Sequence, residues 1–358
     1  MNAVATDDNA AADVWTEQDT TPAAIDEALR ELLRMRHAAN QGLAPARVLN
    51  LVVVVDCDFK DETATRLRRV GRYHASRTIL CAVQPARSAL DARVVMSYEQ
   101  PEDPAGFGLI HETVEIDVGP DHLERLQTIV DPVIVSDLPT MVWSPHGHEQ
   151  TFEALSELTD VVLLDSDDEP EAPDAFRRAR SQLHSSYVVD LAWLRTTPWR
   201  ERLAASFDPP RRRAALQEIN GLSIRHSAGA CASALLLAGW LASRLDWDVS
   251  PLNLTDSDTF EGTAAADSRD VELRIEPVQQ DAPGLGGVTI SSDVGFSLSL
   301  DRGPGGLRAH TIRDGRERTW RVLGHSRGEA GILGEGVRQA LLRDPTYGPA
   351  LAAAARMH

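Results

Sequence analysis

The sequence predicts an α/β N-terminal domain followed by an α+β domain, with helices first and then an antiparallel sheet and a closing helix. Three observations support this fold class. β-branched runs alternate with helix-like segments from about residue 45 to 166. The acidic, proline-containing run DSDDEPEAPD (165–174) then interrupts the alternation. Short strand-like segments joined by Gly and Pro turns follow beyond residue 270, as in antiparallel sheets.

The first 44 residues form two segments. Residues 1–21 contain several acids and no periodic apolar residues, so they are predicted to be a disordered acidic tail. Residues 22–44 are predicted to hold an N-terminal helix, because Thr21 can cap it and Pro22 suits its first position. Apolar residues at helical spacing give this helix one apolar face.

Residues 45–166 are predicted to be the α/β domain. VLNLVVVVDC (48–57) is a continuous β-branched run, typical of a strand buried on both faces. Helices are predicted at DETATRLRRVGRYH, PDHLERLQTIV and EQTFEALSEL. Further strands are predicted at RTILCAV, ARVVMSY, HETVEIDV, LPTMVW and DVVLLD.

Residues 167–345 are predicted to be the α+β domain, helical in its first half and β-rich in its second. The helical half ends in the apolar segment 227–245. The strands are VELRIEPV, GGVTISS, FSLSLD, LRAHTI and RTWRVL. A closing helix is predicted near GILGEGVRQALLRD (331–344), and residues 346–358 are predicted to be a C-terminal tail.

Charge and composition exclude several classes of protein. The formal net charge is −18, which opposes non-specific binding to nucleic acid. The acidic N-terminus has no apolar segment of the secretory type. The longest apolar stretch, residues 228–242, is shorter than the roughly 20 residues that span a bilayer. We therefore expect a cytoplasmic protein with neither a membrane nor a nucleic-acid partner.

The reactive motifs in the chain are incomplete. GHSRG (324–328) matches the G-x-S-x-G nucleophile elbow, but the acid and histidine that should follow on later strands are missing. A tight turn with Ser326 capping a helix is the favoured interpretation. His146 and His148 have H-x-H spacing without a second ligand cluster, and no P-loop or G-x-G-x-x-G occurs. No catalytic residue, metal or cofactor is therefore predicted.

Two further groups have weaker functional interpretations. His74, Ser76 and Arg77 lie at a predicted helix-to-strand turn and together could hold a phosphate. The alternative is a helix end whose dipole favours basic side chains. The acids at 165 and 167–169 could bind a divalent cation, although a solvated linker is favoured.

The segment DLAWLRTTPWRERLAASFDPPRRR (190–213) has the most unusual composition. From Trp193 to Arg213 it has six arginines against two acids, whereas residues 149–174 hold ten acids and no base. Trp and Arg are enriched at interface hot spots, so Trp193, Arg195, Trp199 and Arg200 are candidate partner-binding residues. The alternative is that the tryptophans pack inside the domain and the arginines pair with the acidic run. Composition does not decide between the two.

Six segments resemble the OpcA family of glucose-6-phosphate dehydrogenase assembly proteins. They are ARVLNLVVV, YHASRTI, DLPTMVW, LLDS, VVDLAWLRTTPWRERLAASFD and SALLLAGWLASRLDW, in this order between residues 46 and 247. The tryptophan-rich segment is the most specific of these. One departure is Ala75, where the family has proline in an H-P-S-R turn.

The resemblance implies a non-catalytic partner that promotes the assembly or allosteric activation of glucose-6-phosphate dehydrogenase, in the oxidative pentose phosphate pathway. The resemblance supplies no catalytic residue and no cofactor. We place the activating contact at or near Trp193, Arg195, Trp199 and Arg200. The alternative function is a sugar-phosphate-binding enzyme or sensor that uses His74, Ser76 and Arg77.

Overall fold

The computed structural model describes residues 5–7, 12–39, 43–45, 47–71, 76–99, 108–255, 257–267, 269–293, 295–313, 315–323 and 328–358. The chain divides into two compact units. Unit 1 comprises residues 1–164, 185–189 and 333–341. Unit 2 comprises residues 165–184, 190–332 and 342–358.

Unit 1 is an α/β structure, which confirms the predicted class of the N-terminal region. Its helices are α1 (Pro22–Ala39), α2 (Lys60–Gly71), α3 (Leu126–Val130) and α4 (Gln150–Ala154). Its strands are β1 (Ala5–Asp7), β2 (Ala12–Glu17), β3 (Leu43–Pro45), β4 (Leu49–Asp56), β5 (Ser76–Val83), β6 (Asp91–Glu99), β7 (Gly108–Val118), β8 (Thr140–Trp143), β9 (Val161–Leu164) and β10 (Tyr187–Asp190).

The sheet of unit 1 has the order β1-β2-β6-β7-β5-β4-β8-β9-β10, with β3 beside β7. Four neighbouring pairs in this order are parallel: β7 with β5, β5 with β4, β4 with β8, and β8 with β9. Every residue of β5 and all but the last of β4 are buried, which explains their continuous β-branched runs. The carboxyl ends of β4 and β8 therefore lie side by side at one edge of the sheet.

The predicted disordered tail is wrong for part of residues 1–21. β2 pairs antiparallel with β6, and β1 pairs with β2. Arg36 of α1 also forms an ion pair of 2.6 Å with Asp13. The segment ADVWTE is too short and too acidic to show a clear period-2 pattern, so its pairing depends on a strand that lies about 80 residues further along the chain.

Two predicted helices of unit 1 are shorter than expected. The segment 120–130 begins as a 3-10 turn, Pro120–Arg125, and continues as α3. The helix predicted at residues 149–158 is α4, only five residues long. Both segments lie in connections between strands.

Unit 2 combines helices with a large sheet. Its helices are α5 (Ala172–Gln182), α6 (Leu191–Phe207), α7 (Pro210–Leu216), α8 (Cys231–Arg244) and α10 (Tyr347–Ala354). Its strands are β11 (Ile219–His226), β12 (Asp248–Val249), β13 (Asn253–Leu254), β14 (Phe260–Ala266), β15 (Arg269–Pro277), β16 (Leu285–Ser292), β17 (Phe296–Gly303), β18 (Gly306–Arg313) and β19 (Arg316–Leu323). α9 (Gly328–Gln339) follows β19, and its residues from Leu333 belong to unit 1.

The sheet of unit 2 is mixed, so the predicted purely antiparallel sheet is wrong in one respect. Its order is β12-β14-β15-β11-β16-β17-β18-β19, with β13 beside β14. β11 runs parallel to β15 and antiparallel to β16. β11 lies in the half predicted to be helical, although Leu222 and Ile224 are buried in alternation with half-exposed residues. Parallel pairing needs a long connection, and α8 and three further strands, β12, β13 and β14, separate β11 from β15 along the chain.

The C-terminus also departs from the prediction. Residues 346–358 were predicted to be a tail, but they contain α10, which packs against α8. Tyr347, Ala350, Leu351 and Ala354 are buried at positions i, i+3, i+4 and i+7 of this helix. No helix among the described residues is both long enough and apolar enough to cross a bilayer.

Candidate functional site

The tryptophan–arginine segment, residues 190–213, includes the cap Asp190, all of α6 and the start of α7. Asp190 caps α6, because its carboxylate accepts a hydrogen bond of 3.0 Å from the backbone N–H of Ala192. Pro198 lies inside the helix rather than at its start. Thr197 and Pro198, a pair typical of a helix start, therefore lie in the middle of a longer helix.

Trp193 and Trp199 are inside unit 2, with exposed fractions of 2% and 3%. The indole N–H of Trp193 donates a 2.9 Å hydrogen bond to Asp344. The guanidinium of Arg200 stacks on the Trp193 ring, with its carbon 3.5 Å from the ring centroid. Arg200 also donates 2.9 Å hydrogen bonds to the hydroxyls of Thr196 and Thr197.

Arg195 neutralises the carboxylates that follow β9. Its guanidinium donates two hydrogen bonds of 2.6 Å to Asp165 and lies 3.5 Å from Asp167. Both carboxylates are almost completely buried, with side-chain exposures of 5% and 8%. The interpretation as a solvated linker is therefore wrong for Asp165 and Asp167, whereas Asp168 is exposed. Arg195 reaches back to Asp165 and Asp167 from α6 and supplies their counter-charge.

Asp167 and one further buried carboxyl group, that of Asp190, also accept hydrogen bonds from neighbouring elements. Asp167 accepts from the backbone N–H and the hydroxyl of Ser233, at 2.9 and 2.5 Å. Asp190 accepts from Ser166 and, at 2.9 Å, from the hydroxyl of Tyr347. Burial, and then the charge of Asp165, raise the pKa of Asp167 to about 7 and that of Asp190 to about 6.

We call Asp165, Asp167, Asp190 and Arg195 the carboxylate junction. It joins the segment between β9 and α5, the first turns of α6 and α8 and, through Tyr347, the start of α10. The described residues contain no group of three or more side chains placed to hold a metal ion. The contacts of the junction are those of a rigid structural support.

The structure shows the packed alternative in part: both tryptophans are inside unit 2 and Arg195 pairs with the acidic run, whereas Arg200 pairs with Asp344 outside that run. Trp193, Arg195, Trp199 and Arg200 all contact other groups of unit 2. Their predicted contact with a partner protein is not tested by these contacts and stays a prediction. The loop that Trp193 and Arg200 hold through Asp344 does reach the surface, since Leu342 is 49% exposed.

The predicted anion site lies in unit 1, and His74 falls outside the described residues. Arg77 is buried, donates a 2.9 Å hydrogen bond to Glu112 and another of 2.8 Å to the carbonyl of Val133. Arg47 binds the same Glu112 carboxylate. The hydroxyl of Ser76 lies 3.3 Å from that of Thr78. The described contacts of Ser76 and Arg77 are therefore internal, and phosphate binding stays a prediction.

The remaining motifs have simple outcomes. The Nε2 of His148 lies 2.9 Å from Asp56, so this hydrogen bond links the carboxyl ends of β8 and β4. His146 stacks on Phe59 with ring centroids 4.1 Å apart. Residues 324–327 of GHSRG lie outside the described residues.

Burial raises the pKa values of Cys81 and Cys231 to about 12, so neither thiol ionises at neutral pH.

Two family models match the chain. One is described as the N-terminal domain of a glucose-6-phosphate dehydrogenase subunit and matches residues 67–181. The other is described as the C-terminal domain of that subunit and matches residues 186–351. The border between these matches falls in the connection between α5 and β10, whereas the compact units divide at residue 165.

The chain is also similar to cyanobacterial proteins named OxPP cycle protein OpcA. The protein from Synechocystis sp. is 37% identical over 132 residues, which are 36% of this chain and 28% of that protein. The protein from Synechococcus elongatus is 33% identical over 182 residues, which are 49% of this chain and 39% of that protein. The matched part therefore spans well under half of each relative.

Among solved structures, the chain has a distant likeness to KijD10, a 3-ketoreductase from Actinomadura kijaniata in complex with NADP. The TM-score is 0.49 with 14% sequence identity, over 86% of this chain and 95% of that chain. A likeness at this level supports no inference about function.

Proposed function

The chain belongs to the OpcA family of glucose-6-phosphate dehydrogenase assembly proteins, and we propose that it is a non-catalytic partner of that dehydrogenase. In this role it binds the enzyme and favours its active state, and so acts in the oxidative pentose phosphate pathway. The observation that carries the proposal is the match of both domain models, in order, over residues 67–181 and 186–351. A binding protein can activate an enzyme only if it binds the active state more tightly than the inactive state.

The proposed contact lies beside the tryptophan–arginine segment. Asp344 is held by the indole N–H of Trp193 and by Arg200, at 2.9 and 3.5 Å. Its carboxylate also accepts hydrogen bonds from the backbone N–H and the hydroxyl of Thr346, at 2.9 and 2.6 Å. This fixed loop presents Leu342 to solvent, and an exposed leucine on a fixed loop suits an apolar pocket of a partner.

In this proposal the four predicted partner-binding residues have two roles. Trp193 and Arg200 position the loop, and Arg195 maintains the carboxylate junction beneath it. Trp199 packs in the interior of unit 2, on the same helix. They therefore influence the dehydrogenase contact through the surface that they support.

A binding measurement with purified glucose-6-phosphate dehydrogenase tests the proposal. Biolayer interferometry should show that Leu342→Asp weakens binding about tenfold or more, because a charge would enter an apolar contact. Leu254→Asp is the matched control, because Leu254 is also exposed on unit 2, and it should bind like the wild type. Equal affinity for the wild type and Leu342→Asp would refute the location of the contact. Failure of the wild type to bind at all would refute the function.

A further inference from the structure

The hairpin formed by β18 and β19 is a basic surface in an acidic chain. Residues 306–323 contain five arginines and two acids, whereas the whole chain has a formal net charge of −18. All five arginines are exposed. The strands β14 and β15 near the other end of the same sheet carry mostly acids on their exposed face. The basic character is therefore local to the hairpin.

Most of these arginines make no ion pair with a described acid. Within the described part of the chain, Arg308, Arg316, Arg318 and Arg321 make no ion pair. Arg225, by contrast, donates a 2.6 Å hydrogen bond to Asp301 on the same sheet. Four guanidinium groups on the hairpin are thus available to an external acid.

The hairpin also ends the sheet. Among the described strands, β19 pairs only with β18. The two strands are joined by residues 314 and 315, so Arg313 and Arg316 close the hairpin as a pair that exchanges both backbone hydrogen bonds. Because such pairs alternate with pairs that exchange none, the backbone N–H groups of Glu317, Thr319 and Arg321 point to the open edge.

Charged side chains lie on both faces of this edge. Arg316, Arg318 and Trp320 share one face, and the guanidinium carbon of Arg318 lies 5.6 Å from the Trp320 ring centroid. Arg308 and Arg321 are opposite one another on the other face. Arginines therefore lie on both faces of the edge. The acids of a strand added to β19 would meet them on either face.

These charges determine which strand can be added. A second copy of β19 would bring arginine against arginine, and like charges directly opposite one another are destabilising. Charged residues at sheet edges prevent such self-pairing. The same side chains would stabilise an acidic strand, because each guanidinium would face a carboxylate.

We propose that β19 is a docking edge for an acidic, extended segment of a partner protein, which adds a strand to the sheet of unit 2. The edge supplies the backbone hydrogen bonds, and the arginines supply the selectivity. This surface is distinct from the loop at Leu342 and does not depend on the proposed dehydrogenase contact. A single-stranded nucleic acid would use the arginines but not the backbone edge.

The experiment uses the full chain and a fluorescein-labelled ten-residue peptide of alternating Glu and Val, measured by fluorescence anisotropy. Thr319→Pro removes one outward N–H, and proline is tolerated where a strand edge faces solvent. We expect about tenfold weaker peptide binding for Thr319→Pro, whereas Thr319→Val, which keeps the N–H, should bind within about twofold of the wild type. The double variant Arg316→Glu, Arg318→Glu should also lose about tenfold or more.

Two further measurements distinguish strand addition from binding by charge alone and from binding of a nucleic acid. A peptide N-methylated at every second residue, on the edge that would face β19, cannot pair with it and should bind about tenfold more weakly to the wild type. This arm needs no protein variant, so it holds even if Thr319→Pro misfolds. Equal binding of the two peptides would overturn strand addition. Tighter binding of oligo(dT) than of the acidic peptide would overturn the choice of a protein partner.

Discussion

Arg195 is the only cation in contact with the buried acids of the carboxylate junction among the described residues. Replacing it with methionine keeps the volume and leaves Asp165 and Asp167 buried side by side without a counter-charge. Removing one partner of a buried ion pair typically costs about 3–5 kcal/mol in the free energy of unfolding. Urea denaturation of Arg195→Met should show a loss of that size.

The control for this change is Arg177→Met on α5. Arg177 pairs with Asp174 at 2.7 Å, but both side chains are more than half exposed. Exposed pairs contribute about 0–1 kcal/mol, so this variant should stay within about 1 kcal/mol of the wild type. Similar losses for Arg195→Met and Arg177→Met would mean that the junction contributes little to stability.

Asp167 should make the stability of the protein depend on pH near neutrality. Its folded-state pKa of about 7 lies above its ordinary value of 3.8, so folding favours the protonated form. The stability from this group is complete below pH 4 and is lost as the pH rises to about 7. Between pH 5.5 and 8 the loss should be on the order of 2 kcal/mol, at about 1.4 kcal/mol per pH unit below the pKa.

The variant Asp167→Asn isolates this effect, because Asp165, Asp190 and Arg195 remain in place. Urea denaturation at pH 5.5 and pH 8 should show a smaller fall in stability for Asp167→Asn than for the wild type. An unchanged difference between the two pH values would show that Asp167 keeps an ordinary pKa in the folded protein.

The composition of the sequence singles out these residues but does not reveal which groups they contact. Segregated charge around Trp193 is visible in the composition, and both interpretations of it were open. The deciding partners lie far away in the chain, since Asp344 is 151 residues from Trp193 and Asp165 is 30 residues from Arg195. Pairing over such distances depends on tertiary structure, and local patterns do not contain it.

At the scale of elements, the packing of α8 against α10 depends on Gly239. A Cβ atom added at Gly239 would lie 2.3 Å from the carbonyl oxygen of Ala350 and 2.8 Å from the backbone nitrogen of Ala354. We expect Gly239→Ala to push the helices apart and to cost about 1–3 kcal/mol, despite the better helix propensity of alanine. Thermal unfolding followed by circular dichroism would measure this loss.

Gly334 on α9 is the matched control. A Cβ atom there would meet no other atom within 4 Å. Gly334→Ala should therefore raise stability by up to about 1 kcal/mol through helix propensity alone. If both variants change stability in the same direction, the close approach of α8 and α10 is not what constrains Gly239.

The sequence predicts best those elements that are buried on all sides, because burial alone then determines their composition. β4 and β5 are covered on both faces, so they are continuous apolar runs. α10 was missed because YGPALAAA carries alanine on every side and shows no polar face. β2 and β11 were missed because each is stabilised mainly by neighbouring strands that are distant in sequence.

At the scale of the whole molecule, the family assignment and the arrangement of unit 2 support one account. The Trp193–Arg200 stack holds Asp344, and the carboxylate junction contacts Tyr347, both close in sequence to the exposed Leu342. We propose that glucose-6-phosphate dehydrogenase binds at Leu342 and shifts toward its active state. The family could be predicted from the order of six segments, whereas the location of the dehydrogenase contact stays a prediction.

The most direct test of this account is the initial rate of purified glucose-6-phosphate dehydrogenase, measured by NADPH absorbance at increasing concentrations of the chain. We predict a saturable rise in rate, with a midpoint that matches the dissociation constant from interferometry. In the absence of the dehydrogenase, the chain alone should produce no NADPH. A rate that stays constant while the two proteins bind, or turnover by the chain alone, would contradict the account.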